Sequence, residues 1–386
     1  MRRFVRRLAT IMCAISLTVL GNSAARAAAW GWMPRAEFDA GYNSNVQLSP
    51  TDEKASASGT ATLGAHVTRY SDAFNWSLDG YASAVRYVRF AEFNYNDVTV
   101  NTQADKSFET SQYSLSGVYV RDTTLVSELG STGLTQVNRP HEHIAFTLSP
   151  AASISERWNL SGDISWSNDR YLEASNDGLV DYDYASADIQ SGSRITERST
   201  LAVALSYGRI MVPSLRSNTN QFAANLVWQS VLSEAWSARM AVGPLRVESK
   251  YLRDNGLGYS GSITRKSPTG SLEFAASRQA TPNGRGLLTK RDTLSLSLRQ
   301  EFSERLAVTV AVQRIETRDF ISTIGFQLNG LRYVDASASL SWRITPTLTG
   351  SATVGGSTQT FDANDLRAHG YRASVGLTWQ GLELGH

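Results

Sequence analysis

Leu201-Ala202-Val203-Ala204-Leu205-Ser206-Tyr207-Gly208 alternates large apolar and small residues without a break. Successive side chains of an extended strand point to opposite faces, so this stretch makes one oily face and one small, polar face. The rhythm recurs throughout. Ala57, Ala61, Leu63, Ala65 and Val67 stand against Ser58, Thr60, Thr62, His66 and Thr68, and Leu294, Leu296 and Leu298 against Thr293, Ser295 and Ser297. Leu306, Val308, Val310 and Val312 continue it, as do Tyr371, Ala373, Val375, Leu377 and Trp379 near the end. The polar faces are too rich in Ser, Thr, Asn, Gln and Gly for a packed core and suit a face that meets water.

Between the alternating stretches, two kinds of connection take turns. Short ones recur with similar chemistry: Ser71-Asp72-Ala73-Phe74, Glu109-Thr110-Ser111, Ser155-Glu156-Arg157-Trp158, Thr196-Glu197-Arg198, Ser233-Glu234-Ala235-Trp236, Ser267-Pro268-Thr269-Gly270, Ser303-Glu304-Arg305 and Thr345-Pro346-Thr347. Their spacing of roughly 35 to 45 residues fits two strands plus one longer loop. Longer polar loops are expected at 121–142, 169–183, 279–292 and 315–332. The count comes to about 18 strands, with 16 as the neighbouring even number. Trp76, Trp158 and Trp236 open strands after short turns, and Trp228, Trp342 and Trp379 lie where strands return to that side, as an aromatic belt at an interface would. Tyr42, Tyr119, Tyr171, Tyr207 and Tyr333 fall near the opposite ends and suggest a second belt.

The chain has 386 residues, 41% hydrophobic and 19% charged, a composition for an ordered protein rather than a disordered one. Its one long apolar run, Leu8 to Leu20, follows a basic head and precedes Ala25-Arg26-Ala27, the small-x-small pattern of a cleaved export signal over residues 1–27. Five of the 37 basic residues (Arg2, Arg3, Arg6, Arg7 and Arg26) lie in that leader, leaving 32 against 35 acidic ones and a net charge of −3. Nucleic acid is therefore not an expected partner. Cys13, the single cysteine, also falls in the leader, so residues 28–386, read as one barrel domain, carry no disulfide.

An exported chain built from such strands can cross a bilayer only if its sheet closes, because in hydrocarbon every backbone amide must be paired. The fold expected is an all-β transmembrane antiparallel barrel in the outer membrane of a Gram-negative bacterium, with short periplasmic turns and longer extracellular loops. The apolar face would meet lipid and the hydroxyl and amide face would line a lumen wide enough for water. Gly370 to Trp379 alternates and ends on an aromatic like a barrel-assembly signal, although Gln380 to His386 follow it. Gly41-Tyr42-Asn43-Ser44-Asn45-Val46, then Arg121-Asp122-Thr123-Thr124-Leu125-Val126-Ser127-Glu128-Leu129 with Thr132-Gly133, and the repeated Ser-Glu-Arg turns resemble the outer-membrane barrels of the beta-barrel porin 2 family. That resemblance implies a context of exopolysaccharide export, since members often accompany exopolysaccharide or exosortase gene clusters.

The polar phase of each strand assigns Arg35, Glu37, Asp39, His66, Tyr70, Asp79, Tyr81, Asp105, Asp163, Tyr184, Arg239, Glu273, Arg299, Asp335 and Arg372 to the lumen wall. Such a lining is mildly acidic and suits neutral or cationic solutes, or a hydrated glycan that meets tyrosine faces and hydroxyls. It equally serves simply to solvate the wall. His141 and His143 share a face but lack a third ligand, so a wetted pair is expected rather than a metal site. Asn176-Asp177-Gly178 with Asp181 and Asp183 lacks the spacing of a calcium loop and reads as a solvated turn. Loop 121–142 either folds inward as a constriction or stays on the surface.

Gly284-Arg285-Gly286 with Lys290 lacks the order of a phosphate-binding loop, and Gly-x-Ser-x-Gly is absent. No catalysis, cofactor or metal is expected. The leading expectation is a channel for a hydrophilic solute, most specifically a component of exopolysaccharide export. The alternatives are a general or sugar-selective diffusion porin and a structural or adhesive barrel without conduction. Expected partners are outer-membrane lipid and lipopolysaccharide, the barrel-assembly machinery, and in the export reading a polysaccharide with secretion components.

Overall fold

The computed structural model describes residues 29–130, 138–172, 177–249, 253–319, 330–361 and 366–385. The leader, Asn176 and most of loop 315–332 lie outside the described residues. The alternating stretches become strands β1 (Ala29–Asn43), β2 (Ser56–Tyr70), β3 (Phe74–Tyr87), β4 (Tyr95–Ser107), β5 (Ser111–Thr123) and β6 (Pro140–Ser153). They continue as β7 (Trp158–Tyr171), β8 (Tyr182–Thr196), β9 (Ser199–Val212), β10 (Ser217–Val231), β11 (Trp236–Ser249) and β12 (Arg253–Ser267). The last six are β13 (Gly270–Pro282), β14 (Leu288–Ser303), β15 (Leu306–Asp319), β16 (Leu331–Thr345), β17 (Leu348–Phe361) and β18 (Leu366–Gln380). Each pairs antiparallel with its neighbours in sequence, and β1 pairs with β18 from Arg35 opposite Gln380 to Asn43 opposite Arg372. The sheet is a closed barrel of 18 spanning strands with no free edge, the condition for living in lipid.

The residues beyond Trp379 complete the seam. Gly381 donates its N–H to the Pro34 carbonyl at 2.8 Å, and Leu384 and Gly385 pair with Trp32 and Gly31. Every short turn expected from the sequence joins two strands at one end, taken here as the periplasmic end, and every longer connection lies at the other. The expected loop 279–292 is the exception in length. β13 and β14 run on as a paired ladder to Pro282 opposite Leu288, leaving a loop of residues 283–287 that Asn283 caps by accepting from Arg285 N and Leu287 N.

The outer surface is oily. Phe38 and Leu63, neighbours across β1 and β2 at the seam side, are 61% and 65% exposed, and Val203, Leu205, Leu226, Met240, Ile263, Val354 and Val375 carry the same surface round the barrel. Trp76, Trp158, Trp228, Trp236, Trp342 and Trp379 all sit in this outward phase near the periplasmic ends of their strands. Trp30 and Trp32 join them, with Trp30 packed edge-on against Trp76 at 6.1 Å. Indole rings with one apolar and one wet edge are suited to that depth.

Candidate functional site

Which face looks into the cylinder follows from contacts that only a concave surface permits. Arg239 on β11 reaches Gln190 on β8, three strands away, at 3.4 Å. Gln221 on β10 donates to the Tyr184 hydroxyl on β8 at 2.8 Å. Arg372 on β18 spans β17 to grip both carboxylate oxygens of Asp335 on β16 at 2.6 and 2.8 Å, with Ser357 between them.

Ladder pairing propagates that face round the barrel. It places Arg35, Glu37 and Asp39 (β1), His66 and Tyr70 (β2), Asp79 and Tyr81 (β3), Asp105 (β4), Asp163 (β7), Tyr184, Arg239, Glu273 (β13), Arg299 (β14), Asp335 and Arg372 inward. They do not converge on one spot. Arg35 pairs with Glu37, His66 Nδ1 with Asp79 at 2.6 Å, Arg299 with Glu301 at 3.1 Å, and Ser149 donates to Asp163 at 2.5 Å. Between these charges run hydroxyls that bond across strands, among them Thr62 with Ser83, Ser165 with Ser186, and Ser339 with Thr353.

Charge is unevenly balanced along the wall. Inward carboxylates crowd β3 to β8 as Asp79, Asp97, Asp105, Asp122, Asp163, Asp169 and Asp188, with Asp163 directly opposite Asp188. The remaining wall is mixed, with Arg35, Arg239, Arg291, Arg299, Arg343 and Arg372 interspersed with Glu37, Asp39, Asp254, Glu273, Glu301 and Asp335, and Arg194 faces inward at the lower end of β8. Seven inward aspartates against Arg194 give the β3–β8 wall a negative potential toward the lumen, and setting two of them opposite one another costs stability in the sheet.

Described segments of the chain's own loops reach across the outer mouth. Thr124–Ser127 forms a single helical turn, α1, after β5, and the segment to Gly130 then crosses the cylinder. Tyr171 at the end of β7 donates to Glu128 Oε1 at 2.5 Å, and Leu129 packs against Ile315 on β15 and Tyr333 on β16, far round the ring from β5. Loop 121–142 therefore folds inward in its described first part.

Leu179 and Val180, from the β7–β8 loop, are embedded among Tyr171, Tyr182, Ile210, Val212, Leu245 and Val247, and Val180 N–H bonds Gly284 O at 2.9 Å. Leu48, from the β1–β2 loop, joins Ile315, Tyr333 and Ala368. Asn45 holds that loop in place by donating to Ser49 O at 2.8 Å and His369 O at 3.0 Å.

Two expectations are corrected by the structure. Tyr171 and Tyr333 face the lumen rather than an outer aromatic belt, because they share the pleat phase of the inward Asp169 and Asp335, and inward loops supply them with apolar partners; Tyr42, Tyr119 and Tyr207 keep the outward phase. His141 is buried rather than wetted, bonding Asp122 at 2.7 Å and Asp169 at 3.2 Å, while His143 Nδ1 meets Asp169 at 2.9 Å. The aspartates of the outer loop go separate ways: Asp177 pairs with Arg139, Asp181 accepts from Tyr171 N, and Asp183 from Asn168. Among the described residues no group of three or more His, Cys, Asp or Glu is placed to hold a metal ion.

Glu128 and Leu129 were legible only as part of a motif, and Leu48, Leu179 and Val180 were not singled out from the sequence. A signal was present in Arg209-Ile210-Met211-Val212 and Leu245-Arg246-Val247, where inward positions turn apolar and a lumen wall would not.

No family model matches the chain, and no curated protein does. Among solved structures it is similar to Pseudomonas aeruginosa OccK2 (OpdF), with 10% identity and a TM-score of 0.50 over 92% of this chain and 98% of that one. Acinetobacter baumannii OccAB3 aligns at 10% identity and TM-score 0.48 over 91% and 99%, and P. aeruginosa OpdK with vanillate at 9% and 0.48 over 92% and 99%. The fold is that of the outer-membrane porins. In a porin barrel the apolar belt fixes the depth in the outer membrane, and what can pass depends on the lumen wall and on the loops across its mouth.

Proposed function

We propose that this porin-type barrel is an outer-membrane channel for hydrophilic solutes, held shut at its outer mouth by loops 45–49, 124–130 and 178–181, and that it serves polysaccharide export. The observation that carries the reading is the contrast within one lumen, a hydroxyl and carboxylate wall below and buried apolar clusters made by inward loops above. A wall of this kind exchanges hydrogen bonds with a hydrated polymer at little net cost, since each protein–water bond lost is replaced by a protein–hydroxyl bond. The aspartate wall favours neutral or cationic cargo over anions. The plug supports a conduit that opens on demand rather than a standing hole, and the resemblance of the short motifs to the beta-barrel porin 2 family supports polysaccharide as the cargo. Transport, not bond-making, is the role assigned to the chain.

Planar-bilayer recording of the purified barrel tests the channel. The proposal expects mostly closed behaviour that becomes steady conduction when residues 125–130 are replaced by a short Gly-Ser link. A large steady current in the unaltered protein supports a diffusion porin instead, and no current from either form supports a structural barrel. For the cargo, deleting the gene should leave polymer accumulating in the periplasm, and unchanged export would sink the polysaccharide assignment.

A further inference from the structure

The outward face changes character near the extracellular end of every ascending strand from β3 to β15. Arg86, Arg121, Arg170, Arg209, Arg246, Arg278 and Arg314 stand at equivalent outward positions. In most of these strands the arginine lies two residues beyond the last outward apolar side chain: Ala84, Tyr119, Tyr207, Pro244, Ala276 and Val312 precede it, with Asn168 intervening on β7. The result is an arginine collar just above the oil, outside the cylinder and separate from the lumen, in which Arg121, Arg246, Arg278 and Arg314 are paired with Glu142, Glu248, Asp292 and Glu316.

Below this collar, one stretch of wall is shaped as well as charged. A groove on the outside of β8 to β12 is lined by Ile189, Leu205, Tyr207, Phe222, Pro244 and Arg246. Tyr207 and Phe222 pack at 5.1 Å along it. Pro244 cannot donate to a ladder, and pairing between β10 and β11 lapses from Ala224 and Asn225 to Gly243 and Pro244. At its upper rim the guanidinium Nε atoms of Arg209 and Arg246 are sheltered from solvent and lack a hydrogen-bond partner. The carboxylates facing this rim are Glu248, paired with Arg246 at 2.5 Å, and Asp183 on β8. Arg253 is a further outward cation there, opposite Glu248 in the ladder.

We propose that this groove and its rim bind a phosphate-bearing glycolipid of the outer leaflet, acyl chain along Leu205, Tyr207, Phe222 and Pro244 and phosphate on Arg209 and Arg246. Position argues for lipid. The arginines sit at the edge of the apolar belt, where headgroups lie, and planar guanidinium groups match phosphate geometry bidentately. The grooved floor accommodates a chain that a smooth strand surface would leave in bulk lipid. The inference needs only the barrel's place in the membrane and is independent of what the lumen carries.

Native mass spectrometry of the full barrel with bisphosphorylated lipid A, dephosphorylated lipid A and inorganic phosphate as probes tests it. The expected result is retention of bisphosphorylated lipid A, weak retention of the dephosphorylated form, and no displacement by phosphate at equal concentration. Arg209→Gln with Arg246→Gln should lower lipid A affinity about tenfold or more, whereas the paired lysine variant should keep most of it. Heat-modifiable migration and single-channel behaviour unchanged from the parent would show that the glutamine variant is folded. Equal binding of both lipid A forms, displacement by free phosphate, or undiminished affinity in the folded glutamine variant would each overturn the proposal.

Discussion

Tyr171 and Glu128 are held together at 2.5 Å inside the mouth of the barrel, joining the end of β7 to a loop that started from β5. The hydroxyl is also the point where the loop meets Gly284, whose α-carbon lies under the Glu128 carboxylate and Tyr171 hydroxyl. One contact thus ties together segments from three outer loops. A hydrogen bond to a carboxylate contributes about 1.5–3 kcal/mol, enough to hold a small loop in one of two positions.

Tyr171→Phe should therefore raise the open fraction about tenfold in planar-bilayer recordings, because the ring still packs and only the tether is lost. The barrel's own unfolding in urea should not move. Unchanged gating would mean that the apolar contacts alone keep the loop in place.

Ile315→Ala removes packing beneath Leu48 and Leu129 on the far side of the same plug. Its cost to the plug is about 2–4 kcal/mol. Combined with Tyr171→Phe, the effect on open fraction should be non-additive, since both residues restrain one segment. Strict additivity in this double-mutant cycle would argue that the two ends of the loop move independently.

Val310 faces outward beside Leu298, whereas Thr309 faces inward opposite Ser339. Val310→Arg should weaken folding into vesicles by about 2–4 kcal/mol, while Thr309→Arg should be tolerated. Urea titrations in liposomes read the difference, and equal cost at both sites would contradict the register.

Asp163 and Asp188 face each other on the acidic wall. Neutralising both to asparagine should shift the reversal potential in a salt gradient away from cation preference, measured in the variant whose loop segment 125–130 has been replaced so that current flows. It should also stabilise the β7–β8 pair slightly, because opposed like charges are removed. No change in selectivity would place the conduction path elsewhere in the bore.

The register of the wall could be read from sequence because it is a local property. Glu37, Thr62 and Ser83 share a face once their strands alternate and pair, and nothing distant can reverse one without exposing Phe38 or Leu63 to water. The plug could not be read in the same way. Leu48, Leu129, Leu179 and Val180 sit in loops whose composition is ordinary, and their partners Ile315, Ile210 and Val247 are distant in the chain. Tyr171 and Tyr333 show the difference most plainly: their phase, shared with Asp163 and Asp335, already turned them inward, but only the loop lying over each ring gives it apolar company there.

The sequence by itself determined that this chain is a closed cylinder in a membrane. A two-residue period, fixed by the pleat, gives each strand one apolar face; with a wet opposite face and short and long connections alternating along the chain, that face belongs in lipid, and a sheet in lipid must close. Tertiary structure alone decided that loops cross the outer mouth, how charge is distributed round the bore, and where an arginine rim meets an oily groove outside. Those features join residues from strands far apart in the chain, and such distances become contacts only after the last strand has paired with the first.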